Sequence, residues 1–116
     1  MNKYSTKSKG DKAEQKAVKF LQKTGHEIAG QNFYARKFGE IDIITTKEGV
    51  YHFVEVKSGK TYEAVYNITK SKLRKLYNSV DYYLIVHKIQ PSYCIDAIII
   101  YGENLENLEY LENISL

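Results

Sequence analysis

The chain has one cysteine, Cys94, in 116 residues. That excludes an internal disulfide and a Cys-rich zinc site, and a reducing, cytoplasmic setting is expected. No run of about 18 apolar residues occurs, so no membrane-spanning segment is expected. The basic opening stretch, MNKYSTKSKGDK, leads into no uninterrupted apolar region and does not read as a secretory signal. A phosphate loop of the GxxxxGK(S/T) form is missing, which removes support for a nucleotide triphosphatase. Internal repeats and low-complexity segments are absent as well.

What is present is one domain's worth of sequence with an uneven charge distribution. The net charge is +3, yet residues 103–116 hold four glutamates and no Lys or Arg. Residues 1–102 therefore carry 17 basic and ten acidic side chains, a net of +7. Seven lysines fall within residues 1–24, and six basic residues against one acid within 57–75. Basic clusters together with eleven tyrosines are permissive for nucleic acid, because phosphates attract cations and bases stack on rings. Taken alone, the charge reads more readily as a solvated lysine-rich surface.

The pattern predicts a polar, mobile arm over 1–9, then a helix over 11–24. Asp11 and Glu14 have the spacing of a capping box, and Gly25 ends the helix. Strands are predicted over His26–Tyr34, Phe38–Thr46 and Val50–Lys57, separated by turn signals at 37–39 and 47–49. A second helix is predicted over 68–80, with Leu73, Leu76, Tyr77 and Val80 on its apolar face. Tyr82–Val86 and Cys94–Ile100 read as further strands. Leu105, Leu108, Leu111 and Ile114 suggest a short closing helix. The order helix, three strands, helix, two strands, helix makes an α/β fold: a mixed sheet of about five strands flanked by helices.

The chemistry concentrates on the second and third strands. Side chains alternate along a strand, so Tyr51, Phe53, Glu55 and Lys57 share one face. Glu40 and Asp42 share a face of the preceding strand, with Ile41 and Ile43 opposite. The simplest hairpin register then lets Asp42 approach Glu55. Two adjacent carboxylates repel unless a cation sits between them. Such oxygens suit Mg²⁺, and a lysine two residues along orients a water or offsets charge growing on a phosphate. On its own, Glu55-Val56-Lys57 reads more readily as an ion pair on a solvated sheet face. Asp42, thirteen residues upstream on the adjoining strand, turns the reading toward phosphodiester hydrolysis.

Glu14 lies in line with Ala17, Val18 and Leu21 and so points along the apolar stripe of its helix, where it needs a cation or hydrogen bonds. Lys72 reads equally as a phosphate contact or a solvated helix edge. Asp96 interrupts an apolar strand, which suggests a structural hydrogen bond to a loop or helix terminus. Cys94 reads as an inert core thiol. His26, His52 and His87 show no metal-ligand spacing.

These motifs together resemble the YraN family of uncharacterised, predicted endonucleases, which are similar to archaeal Holliday-junction resolvases. The resemblance runs nearly end to end. It is carried by Gly10–Ala17, by Gly25 and Asn32, by Gly39-Glu40-Ile41-Asp42-Ile43-Ile44 and by Phe53-Val54-Glu55-Val56-Lys57. Lys72, Ile95-Asp96 and Tyr110–Ile114 continue it. The resemblance implies a restriction-endonuclease-like core of the PD-(D/E)xK type. It implies that Asp42 and Glu55 ligate Mg²⁺ or Mn²⁺, that Lys57 assists the water and that Glu14 supports the site. The expected partner is DNA, branched DNA included, held at its phosphates by Lys60, Lys72, Lys75 and the arm lysines Lys3, Lys7 and Lys9. A homodimer is compatible with the likeness to resolvases. The chain departs from the family at Ala13, in place of glycine, at Ser58-Gly59-Lys60 after the lysine, and in lacking a proline before the second helix. Two alternatives stay open: a nucleic-acid-binding module that does not cut, and an interaction protein that docks through its acidic segment 103–116.

Overall fold

The computed structural model describes residues 2–114, the side chains of residues 2–9 and of Ala64 excepted. Five strands form one mixed sheet in the order β1-β2-β3-β4-β5. They are β1 (Glu27–Tyr34), β2 (Glu40–Lys47), β3 (Val50–Gly59), β4 (Ser92–Tyr101) and β5 (Asn107–Leu111). Every neighbouring pair is antiparallel except β3 and β4, which run parallel and are joined across the sheet by helices. Those helices are a short α2 (Tyr62–Val65) and a long α3 (Lys70–His87), while α1 (Asn2–Lys23) packs on the other face.

Alternation along the strands builds two apolar layers. Ile44, Phe53 and Ile95 face α3, where Leu73, Leu76, Val80 and Tyr83 cover them. Ile43, Val54, Ile98 and Ile100 face α1 and its buried Ala13, Ala17 and Leu21. Small residues on α1 bring its axis close to the sheet, and both layers exclude water. The arrangement matches the expected sheet flanked by helices.

Four expectations need correction. Tyr82–Val86 is not a strand but the last turns of α3. Its apolar run fits a helix equally well, since Tyr83 continues the buried stripe of Leu76 and Val80 while Ile85 and Val86 face solvent. The closing helix is instead strand β5, in which Leu108 and Tyr110 pack toward the α1 layer. Helix α1 includes the basic segment expected as an arm, and the side chains of Lys3, Lys7 and Lys9 lie outside the described residues. Asp11 and Glu14 accordingly sit inside α1, not at its start, so they form no capping box.

Candidate active site at the fork of strands 2 and 3

The hairpin of β2 and β3 pairs Lys47 with Val50 at its turn and continues through Ile44–Phe53 to Ile43–Val54. One more step of that register sets Asp42 opposite Glu55. There the strands part. Val56 N donates to Asp42 Oδ2 at 2.8 Å, so a side-chain oxygen takes a main-chain donor at the fork. Strict alternation also breaks here: Ile41 packs in the α3 layer and Ile43 in the α1 layer, not side by side as expected. The change of backbone direction aims the Asp42 carboxylate along the gap between the strands.

Asp42 and Glu55 meet. Burial above all, and then the Glu55 carboxylate beside it, raises the Asp42 carboxyl from an ordinary 3.8 to about 7. The Val56 N–H opposes the shift, and a hydrogen bond between the two acids, with a proton held between them, adds to it. Lys57 Nζ stands 3.8 Å from Glu55 Oε2, and both side chains keep about a quarter of their surface exposed. The ammonium is thus positioned by Glu55 yet reachable from solvent.

Two further acids complete the cluster. Glu14 on α1 accepts from Asn32 Nδ2 at 3.0 and 3.1 Å, and Glu40 accepts from the same nitrogen at 3.5 Å. Burial raises the Glu14 carboxyl, the Asn32 amide lowers it, and the charges of Asp42 and Glu40 raise it further. Asn32 and Glu40 were missed as site residues. Asn32 lies on β1 beside Asp42 with φ of 51°, a left-handed conformation that asparagine tolerates better than most residues. An Asn inside a predicted strand was the available signal.

A cleft of about 260 Å³ opens between β3 and the start of α3; of the acidic cluster, Glu40 and Glu55 line it, and Asp42 and Glu14 do not. Glu55 and Lys57 line it together with Lys72, Lys75, Glu40 and a further cation, Lys37. Lys72 is held in place from two sides. Its amide donates to the Thr69 hydroxyl that caps α3, and its Nζ donates to Asn67 O at 3.1 Å. Lys60 stands apart from the cleft, exposed beyond the end of β3. Gly59, one of the departures from the family pattern, has a local reason: a Cβ there would lie 2.2 Å from Val65 Cγ1 of α2.

The carboxylates fit a hard divalent cation. Two mutually repelling oxygen donors at a half-buried position, one of them holding a proton near neutrality, are stabilised by positive charge between them. Asp42 and Glu55 are the residues that would hold it.

The sequence profile of the uncharacterised protein family UPF0102 matches residues 13–100. UPF0102 proteins of Helicobacter hepaticus and Wolinella succinogenes are each 50% identical to this chain, over 112 and 111 residues. These alignments cover 97% and 96% of the chain, and 98% and 99% of the relatives. A UPF0102 protein of Sulfurimonas denitrificans is 52% identical over 112 residues, 96% of the chain and 99% of the relative. With the fork, the cleft and these relatives in view, the chain belongs to UPF0102, the YraN family.

Proposed function

We propose that the protein is a metal-dependent DNA endonuclease of the PD-(D/E)xK type. The observation that carries this reading is the meeting of Asp42 and Glu55 at the fork, with the Lys57 ammonium beside Glu55. A Mg²⁺ or Mn²⁺ ion held there would supply an acidified water and would offset charge on the phosphate. Asp42 and Glu55 would hold the ion, and the proton between them would leave as it binds. Lys57 orients the attacking water and stabilises negative charge that develops on the phosphate oxygens. Lys72 and Lys75, along the same cleft, neutralise phosphates on the flanking backbone without reading bases. Glu14 and Asn32 hold the rear of the site. Their hydrogen bonds run to each other and to Glu40, so their role is positioning.

The test is a panel of branched, flapped, single-stranded and duplex DNAs incubated with Mg²⁺ or Mn²⁺. Asp42→Asn and Glu55→Gln keep shape and remove charge. Each is expected to lower cleavage by at least ~10²-fold, beyond what loss of a supporting residue around a metal typically costs, with circular dichroism unchanged. Cleavage that survives in both variants rejects the assignment. DNA binding that is salt-dependent, needs no divalent ion and yields no product supports a binding module instead.

A further inference from the structure

His52, Cys94 and Asp96 form a second cluster of ligand-type side chains, on the α1 side of the sheet and away from the fork. The parallel register sets His52 beside Cys94, and Asp96 follows two residues later on the same face. His52 Nδ1 lies 2.6 Å from Asp96 Oδ2 and 3.1 Å from Cys94 Sγ, and that sulfur lies 3.4 Å from Asp96 Oδ1. One donor atom from each residue falls within 4.8 Å of the other two. Zinc bonds to N, O and S place neighbouring tetrahedral donors roughly 3.3–3.8 Å apart. Opening the shortest contact, His52 Nδ1 to Asp96 Oδ2, by about 0.7 Å brings the cluster to a coordination triangle.

At present protons hold the three groups together. The three contacts close a ring: Nδ1 meets Asp96 Oδ2 and Cys94 Sγ, and Sγ meets Asp96 Oδ1. A cation placed there replaces those protons: Cys94 gives up its thiol proton to solvent, and a neutral His52 carries its ring proton on Nε2, which leaves Nδ1 free to ligate. Imidazole, thiolate and carboxylate together favour Zn²⁺ over the hard ions suited to the fork. Support is already built. Asp96 also accepts from Tyr110 OH at 2.5 Å and from Asn113 N at 2.8 Å, contacts that persist when a metal takes the inner positions. Access exists too: His52 and Cys94 line a cavity of about 560 Å³ with Glu112 and Asn113. Water or the Glu112 carboxylate is at hand for a fourth position.

We propose that His52 Nδ1, Cys94 Sγ and the Asp96 carboxylate form a Zn²⁺ site distinct from the Asp42–Glu55 pair. The site does not depend on the nuclease reading, because it shares no ligand with the fork. Its role is structural: it ties β3 and β4 to the segment after β5.

The full chain, treated with chelator and dialysed, is titrated with Co²⁺ and then with Zn²⁺. One equivalent of Co²⁺ is expected to give a near-ultraviolet sulfur-to-cobalt absorption, which Zn²⁺ removes. Cys94 is the sole cysteine, so that absorption reports this site and no other. Zn²⁺ is expected to protect the native thiol from alkylation at least ~10-fold. Tyr110→Phe weakens Zn²⁺ binding by roughly 10-fold, and Asp42→Asn leaves it unchanged. Cys94→Ser abolishes the absorption. If the wild-type chain shows no such absorption and no protection, or if the absorption persists in Cys94→Ser, the site is refuted. These wild-type readouts decide the matter even if a variant fails to fold.

Discussion

Asp42 and Asp96 are both acids on strands at the middle of one sheet, and their surroundings are opposite. Asp96 is fully buried and accepts from His52, Cys94, Tyr110 and Asn113. Around it, His26 packs edge-on against His52 and meets Thr45 Oγ1 at 2.6 Å. Asp42 is half-buried, has one main-chain donor, and faces a second carboxylate. Burial of a charged group is costly unless partners compensate for it. Compensation is supplied within the fold around Asp96 and is incomplete around Asp42. The difference separates an acid that the fold satisfies from one that it leaves beside a second carboxylate, although both look alike as acids in apolar strands.

Breaking the first member of the pair should have the largest effect on stability. Asp96→Ala leaves several buried donors without an acceptor and is expected to cost about 3–5 kcal/mol. Urea unfolding would show it as a lower midpoint with the slope unchanged. A loss below about 1 kcal/mol would mean that the network is not what holds this end of the sheet. Asp42→Asn in the same assay should be neutral or stabilising.

The pH response sharpens the contrast. The folded chain holds the Asp42 carboxyl up at about 7, above its ordinary 3.8. Between those values the folded state binds more protons than the unfolded one, so stability falls as pH rises through that window and levels off above about 7. The metal-free protein should therefore show a falling urea midpoint over this range. Asp42→Asn should flatten the fall, and Mn²⁺ should raise the midpoint more at pH 8 than at pH 6, where protons compete. A wild-type midpoint that climbs across the window contradicts the raised carboxyl.

Smaller effects probe the edges of the site. Asn32→Ala frees Glu14 and Glu40 from their shared amide and should weaken Mn²⁺ binding by roughly 10-fold, as loss of an outer partner does. Isothermal titration would measure it, and unchanged affinity would detach Glu14 from the site. The mildest expectation concerns Lys72. Its replacement by alanine should reduce the slope of log affinity for DNA against log salt by about one, across sequences alike. An unaltered slope would place Lys72 outside the DNA path.

Much of this was legible in the sequence where local rules suffice. The β2–β3 hairpin followed from its apolar alternation and the Lys47-Glu48-Gly49 turn, and that hairpin alone brings Asp42 toward Glu55. Misreadings arose where periodicity was ambiguous. Tyr82–Val86 is apolar throughout, so only the contacts of Tyr83 with the sheet distinguish helix from strand. Leu105, Leu108 and Leu111 are spaced by three, yet Leu105 has a φ of 55° in a turn and β5 pairs with β4. The His52–Cys94–Asp96 cluster needs the parallel pairing of β3 with β4, which links residues 42 and 44 positions apart. Spacing along the chain carries no trace of that pairing. Asn32 joined the site for the same reason, through an α1–β1 contact of 18 residues' separation.

The hydrogen bond from Val56 to Asp42 has an evolutionary corollary. Because the side chain at 42 also completes the main-chain bonding of the sheet, the fold tolerates only short acceptors there, whatever becomes of cleavage. A relative in which the proposed cleavage is lost is expected to keep Asp or Asn at 42 while Glu55 and Lys57, which show no such main-chain bond among the described residues, drift first. Loss of that second pair, and not of the aspartate, would be the fingerprint of such a change.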